Sequence, residues 1–229
     1  MKTFYGSFYF VLISIMIFGC NGANCKKAGN EDVNASDIDS CSVITERVLS
    51  ILNDTRTTQY FLDEKVPLED INVIIDAGRN AASGRNMQPW HFTGILNREV
   101  ISDIAVVMHG ERPAGDLNGD SKKRVKTGIA DAPAAIVISC NENNAFDAGL
   151  ACENMVIAAT ALGYGTKILG GGVDKLNEYE TKLLLQIPDG MRVIKILVVG
   201  KADSTVDSSV DGVTGASTRK TLDEVSTIL

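Results

Sequence analysis

Two apolar runs set the terms for this chain. Residues Ala134 to Cys140 (AAIVISC) and Arg192 to Val199 (RVIKILVV) are apolar at positions of both parities. Strands of this kind need cover on both faces. The segments around them have helical spacing. Val43, Ile44, Val48, Ile51 and Leu52 form one stripe; Leu68, Ile71, Ile74, Ile75 and Gly78 form another, begun by Pro67 with Glu69 and Asp70 in its first turn. Asp147 to Leu162 predicts a helix rich in small residues, which permits close helix–helix approach. Glu99 to Met108, Val173 to Gln186 and Leu222 to Leu229 predict further helices, and His91 to Leu96 a strand. Residues 109–126 predict a long polar loop of the kind that covers active sites. Helices interleaved with a few strands give an α+β or mixed α/β class, in one domain over about 43–229.

The first nineteen residues belong to a different class. Lys2 precedes sixteen uncharged residues, Phe4 to Gly19, and then Cys20. A bilayer-spanning helix needs about 20 apolar residues, so this run fits a secretory signal better. Ile17, Phe18, Gly19 and Cys20 resemble a bacterial lipobox, with Cys20 the lipidated residue and residues 1–19 a signal peptide of lipoprotein type. The acyl chains, at about 0.8 kcal/mol per buried methylene, would anchor the protein to the cell envelope outside the cytoplasm. Residues 20–42 then read as a flexible tether. Cys25 and Cys41 lie in it and are free to pair in an oxidising compartment. Cys140 and Cys152 lie in apolar surroundings and read as small buried hydrophobes.

A formal charge of −7 argues against a nucleic-acid partner. No hydrolase or P-loop motif is present, no Cys/His cluster has metal spacing, and only His91 and His109 supply imidazoles. Neither histidine has a partner suggested by sequence, and no side chain stands out as a catalytic acid or base. A chain so poor in acid–base motifs points to chemistry supplied by a cofactor.

The segment from Ala82 to Phe92 (ASGRNMQPWHF) is the most specific stretch. Its serine-bearing turn, followed by Asn86, Met87, Gln88, Pro89 and Trp90, resembles the nitroreductase family of flavin mononucleotide (FMN) enzymes. Thr55 to Phe61 stands where that family has Arg-Arg-Ser-x-Arg-x-Phe. Asp147 to Met155 with Ala161 to Gly165 resembles its central helix, and Gly170 with Gly171 its flavin-facing loop. The resemblance covers about residues 43–229. It implies an α+β fold of helices sandwiching a small central mixed sheet, a homodimer with flavin at the subunit interface, and FMN as cofactor.

The implied roles suit the residue types. Arg56 and Thr57 would hold the phosphate, with Arg219 and Lys220 near the carboxyl end. Ser83, Gly84, Arg85, Asn86 and Gln88 would face the ribityl chain and ring, and Leu169, Gly170 and Gly171 would bring backbone N–H groups to the ring edge. The sequence departs from the pattern at Thr55 and Gln59, where the family carries basic residues. Asp211 to Thr218 (DGVTGAST) resembles a flavinylation motif, in which a flavin transferase joins the flavin phosphate to a hydroxyl, here Ser217. The diester so formed carries less charge than free phosphate, which suits the missing basic residues. As an ordinary turn, the same segment would let Ser217 or Thr218 cap the last helix.

The expected function is an exported, tethered FMN oxidoreductase. Its acceptor would be a small electron-poor molecule, nitroaromatic or quinone-like, and its electron donor a membrane electron-transfer protein. Two rivals stay open: a flavin-bearing electron relay with no substrate of its own, and a flavin-free binding lipoprotein.

Overall fold

A computed structural model describes residues 35–110, 128–204 and 219–229, with side chains from residue 42 onward. The chain divides into residues 1–43 and a larger unit, 44–229. Among the described residues the larger unit has four strands: β1 (Trp90–Ile95), β2 (Ala134–Asn141), β3 (Gly165–Leu169) and β4 (Met191–Gly200). Its helices are α1 (Ala35–Asp54, shared with the first unit), α2 (Leu68–Arg79), α3 (Arg98–His109), α4 (Ala145–Ala161), α5 (Tyr179–Leu184) and α6 (Leu222–Val225).

The strand order is β1-β2-β4-β3, and every neighbouring pair is antiparallel. The expected mixed sheet is therefore corrected to an antiparallel one. Helix α4 carries the chain from β2 to β3, which run in the same direction, as a crossover predicts. Strand β4 then inserts between them in the opposite sense. Among the described residues the one parallel pairing is the isolated bridge Thr57–Thr166.

Both faces of the sheet are covered. On one side Ile101, Ile104 and Met108 of α3 pack with Val137, Ile196 and Val198. On the other, Ile71 and Ile74 of α2 and Met155 and Ala159 of α4 pack with Ile136, Ile138 and Leu197. Gly78 makes the close approach of α2 to α4: a Cβ there would come 2.7 Å from Met155 Cγ and 3.3 Å from the Ala151 carbonyl oxygen. Helix α3 starts with Asn97 accepting from the Glu99 N–H at 2.8 Å and stops at Gly110 (φ 70°).

Several boundaries differ from expectation. Helix α1 begins at Ala35, inside the expected tether. The helix expected over Val173 to Gln186 is a 3₁₀ segment, Val173–Asn177, followed by the short α5. The Asn177 amide is the reason: its oxygen accepts from the Val193 N–H at 2.7 Å and its nitrogen donates to the Val193 carbonyl at 3.1 Å. It thereby pairs β4 backbone beyond the end of β3. Strand β3 itself was not expected. Helix α6 covers only Leu222–Val225, held by a capping box between Thr221 and Glu224. No helix among the described residues is long and apolar enough to cross a membrane.

Candidate functional site

A pocket of about 350 Å³ opens beside the α4 face of β3. Its walls are Leu52, Thr55, Arg56 and Thr57 at the end of α1, Glu153 and Val156 of α4, Thr166 and Ile168 of β3, and Arg219. Local chemistry fixes the first wall. The Thr55 hydroxyl donates to the Ile51 carbonyl at 2.8 Å, closing α1. The Arg56 guanidinium donates to the carbonyls of Asn53 and Thr55. The Thr58 N–H donates to the Thr166 carbonyl at 2.8 Å, which fastens the segment to β3. Gly165 makes that approach feasible, since a Cβ there would lie 2.2 Å from Thr58 Oγ1.

From this pocket β3 leads to the glycines. Thr166, Ile168 and Gly170 follow one another at the two-residue period of a strand, so Gly170 lies about 13 Å from Thr166 along the strand direction. At Gly170 a Cβ would fall 2.2 Å from Lys195 Nζ. Gly171 and Gly172 lie against the other side: a Cβ on Gly172 would meet His109 Cε1 at 2.8 Å.

Helix α4 also reaches the Asn-x-Gln-Pro-Trp turn. The Gly84 N–H donates to Asp147 Oδ1 at 3.3 Å, in the first turn of α4. Six residues on, about 9 Å along the axis, stands Glu153 in the pocket wall. The turn is exposed and strained. Arg85 (φ 54°), Asn86 (φ 56°) and Gln88 (φ 47°) all occupy the left-handed region, and the Gln88 N–H is held by Ser83 Oγ at 3.0 Å. Three such non-glycine residues within four positions cost energy and are concentrated at functional sites.

The structure thus gathers Arg56, Thr57 and Arg219 around one pocket. It sets Leu169, Gly170 and Gly171 at the far end of the adjoining strand and Ser83 to Gln88 at the start of α4. Gln59 and Lys220 do not line the pocket; Gln59 is carried past it by the Tyr60 carbonyl, which accepts from the Asp203 N–H at 2.9 Å. Cys20, Ser217 and most of the expected 109–126 loop lie outside the described residues. Glu153, Thr166, Ile168, His109 and Lys195 are additional neighbours that sequence reasoning missed. A lysine inside an otherwise apolar run was the available signal for Lys195. The two described thiols supply no nucleophile: burial pushes Cys152 up to about 12 and raises Cys140 as well. No group of three or more His, Cys, Asp or Glu side chains among the described residues could hold a metal ion.

Residues 52–201 match the model of the nitroreductase family. The chain belongs to the nitroreductase family. A protein of Methanothermobacter thermautotrophicus, assigned as an NADH dehydrogenase or NAD(P)H nitroreductase, is 30% identical over 125 residues, which cover 52% of this chain and 58% of that relative. The FMN reductase (NADPH) of Bacillus subtilis is 26% identical over 167 residues, 66% of this chain and 64% of its own. The chain therefore spans less than two thirds of the length of either relative. Among solved structures, a nitroreductase with bound FMN from Bacteroides fragilis superposes with a TM-score of 0.63 at 20% identity, covering 80% of this chain and 98% of its own. At that identity the likeness speaks for the fold.

Proposed function

We propose that this chain is an extracytoplasmic, membrane-tethered FMN oxidoreductase that reduces small electron-poor acceptors, nitroaromatic or quinone-like. The observation that carries the reading is the meeting of Arg56, Thr57 and Arg219 at the foot of β3, whose other end runs directly into Gly170. The donor set fits the cofactor. Two guanidiniums and a hydroxyl suit a phosphate, and a glycine without Cβ leaves room for a ring edge at the other end. FMN supplies two-electron transfer when bound. Arg56, Thr57 and Arg219 hold the phosphate, and the strained Ser83–Gln88 turn offers the Asn86 side chain to the ring.

The pocket's charge favours a covalent form of the cofactor. Two arginines against the Glu153 carboxylate leave one net positive charge, which matches a phosphodiester better than a free phosphate. Attachment through Ser217 by a flavin transferase is the corresponding proposal, with lipid on Cys20 as the anchor. A membrane electron-transfer protein is the proposed electron donor.

A second copy of the chain is the proposed partner. Ile44, Val48 and Leu52 repeat at four-residue spacing on α1 and are 64%, 51% and 47% exposed. Phe146, beside the strained turn's contact on α4, is 78% exposed. An apolar surface of this kind marks an association site.

An absorption spectrum before and after acid precipitation tests the cofactor reading. Flavin that stays with the polypeptide, together with a mass increment of one FMN lost in Ser217→Ala, supports the covalent form. Flavin released to the supernatant supports FMN without the bond. A colourless protein that takes up no added FMN refutes the reading.

A further inference from the structure

Strand β4 is irregular at one point, and a lysine stands there. Val193 pairs with Ser139, but Lys195 pairs with Ile138, so one extra residue, Ile194, is accommodated in β4. Such a bulge re-aims side chains and is over-represented beside active sites. Val193 and Ile196 point to the α3 face, whereas Ile194 packs on the α2–α4 face. Lys195 shares that second face: its charge acts on Cys152 of α4, and its ammonium lies across the Cα of Gly170. A Cβ on Gly170 would come 2.2 Å from Nζ and 3.3 Å from Cε. The ammonium reaches this position only because residue 170 is glycine. Among the described residues no carboxylate forms an ion pair with it.

The position separates Lys195 from the phosphate end. Arg56, Thr57 and Arg219 gather around Thr166, while Lys195 stands at Gly170, about 13 Å along the strand. The cation is therefore at the end of the slot where the Leu169–Gly171 loop meets the ring in the reading above. Two electrons and one proton delivered to that ring leave it one unit more negative. A fixed cation at its edge, on a rigid strand, stabilises the reduced form more than the oxidised one.

We propose that Lys195 is the positioning cation for the reduced flavin ring, set at its edge by the β4 bulge and the missing side chain of Gly170. The proposal rests on the flavin reading of the preceding section. It also gives a physical account of the departures at Thr55 and Gln59: positive charge absent from the amino-terminal motif is supplied from β4, at the ring instead of the phosphate.

Redox titration of the full-length, flavin-loaded protein tests this, with dithionite as reductant and a reference dye setting the poise. In Lys195→Met the flavin content of the oxidised protein is unchanged. At a fixed poise, the ratio of reduced to oxidised flavin falls about tenfold, equivalent to about 30 mV for a two-electron couple. Lys195→Arg restores most of the ratio. An unchanged ratio in Lys195→Met, with flavin still bound, overturns the role of Lys195 and leaves the flavin reading intact. Loss of oxidised flavin with no change in the ratio also overturns it, because Lys195 would then serve binding alone. Wild-type protein that binds no flavin overturns both.

Discussion

The Tyr164 hydroxyl donates a hydrogen bond to Asp70 Oδ2 at 2.5 Å, joining the turn before β3 to the first turn of α2. Tyr164 is buried, and the Lys201 ammonium stands 5.5 Å from its ring centroid. The contact links α2 to the chain leaving α4, since α2 packs on α4 and α4 ends three residues before Tyr164. Asp70 accepting from the hydroxyl, followed by burial, pushes the Tyr164 pKa up to about 12.

The pH dependence follows from that direction. The folded protein holds the Tyr164 proton more tightly than the unfolded chain, which releases it near 10. The stabilisation is whole below about pH 10 and disappears as pH rises toward 12. Tyr164→Phe is expected to cost about 1.5–3 kcal/mol at neutral pH, as for a hydrogen bond to a charged acceptor. Chemical denaturation of both proteins at pH 7 and pH 11 checks this: the difference between them shrinks at the higher pH.

Gly200 closes β4 against rigid neighbours. A Cβ there would come 2.3 Å from Pro133 Cγ and 2.9 Å from Phe61 Cδ1. Neither ring can swing away, so Gly200→Ala is expected to destabilise the fold by about 1–3 kcal/mol. Gly149 is the control. It lies within α4 with nothing within 4 Å of its would-be Cβ, and Gly149→Ala is expected to stabilise by up to about 1 kcal/mol. Urea midpoints of opposite sign relative to the parent protein are the expected result.

The pocket predicts a charge series for free FMN, measured on protein made without a flavin transferase. Arg56→Ala and Arg219→Ala each weaken binding by about tenfold or more, the effect of losing one charged hydrogen-bond donor. Glu153→Gln tightens binding several-fold by removing the opposing carboxylate. Lys220→Ala, outside the pocket, leaves it nearly unchanged. Fluorescence quenching titrations separate the four.

Cys140 and Cys152 are 0% and 5% exposed. With a pKa near 12, Cys152 is ionised to only about one part in ten thousand at pH 8. Iodoacetamide at pH 8, followed by peptide mapping, should leave both thiols unmodified in the native protein and modify both after denaturation.

The order of elements was legible in the residues because hydrophobic period is a local property. AAIVISC and RVIKILVV became β2 and β4, and Pro67 marks the start of α2 that its ring chemistry dictates. The turn at Ser83 to Gln88 was recognisable because its residue types are unusual together. Strand β3 escaped notice because five residues around Gly165 carry no alternation of their own and pair only because β4 lies beside them. The helix expected over 173–186 failed for a similar reason: Asn177 answers to the backbone of Val193, sixteen residues away.

The sequence by itself determined the central strands, most of the helices, the covered faces and the residue types suited to a phosphate and a ring, since each depends on neighbours a few positions apart. Only the tertiary structure decided that β4 inserts between β2 and β3, that Glu153 stands in the pocket wall with Arg56, Thr57 and Arg219 while Lys220 does not, and that Lys195 stands at Gly170. Those are relations between residues tens to more than a hundred positions apart, settled by which faces of the helices and sheet pack together. No local pattern records them.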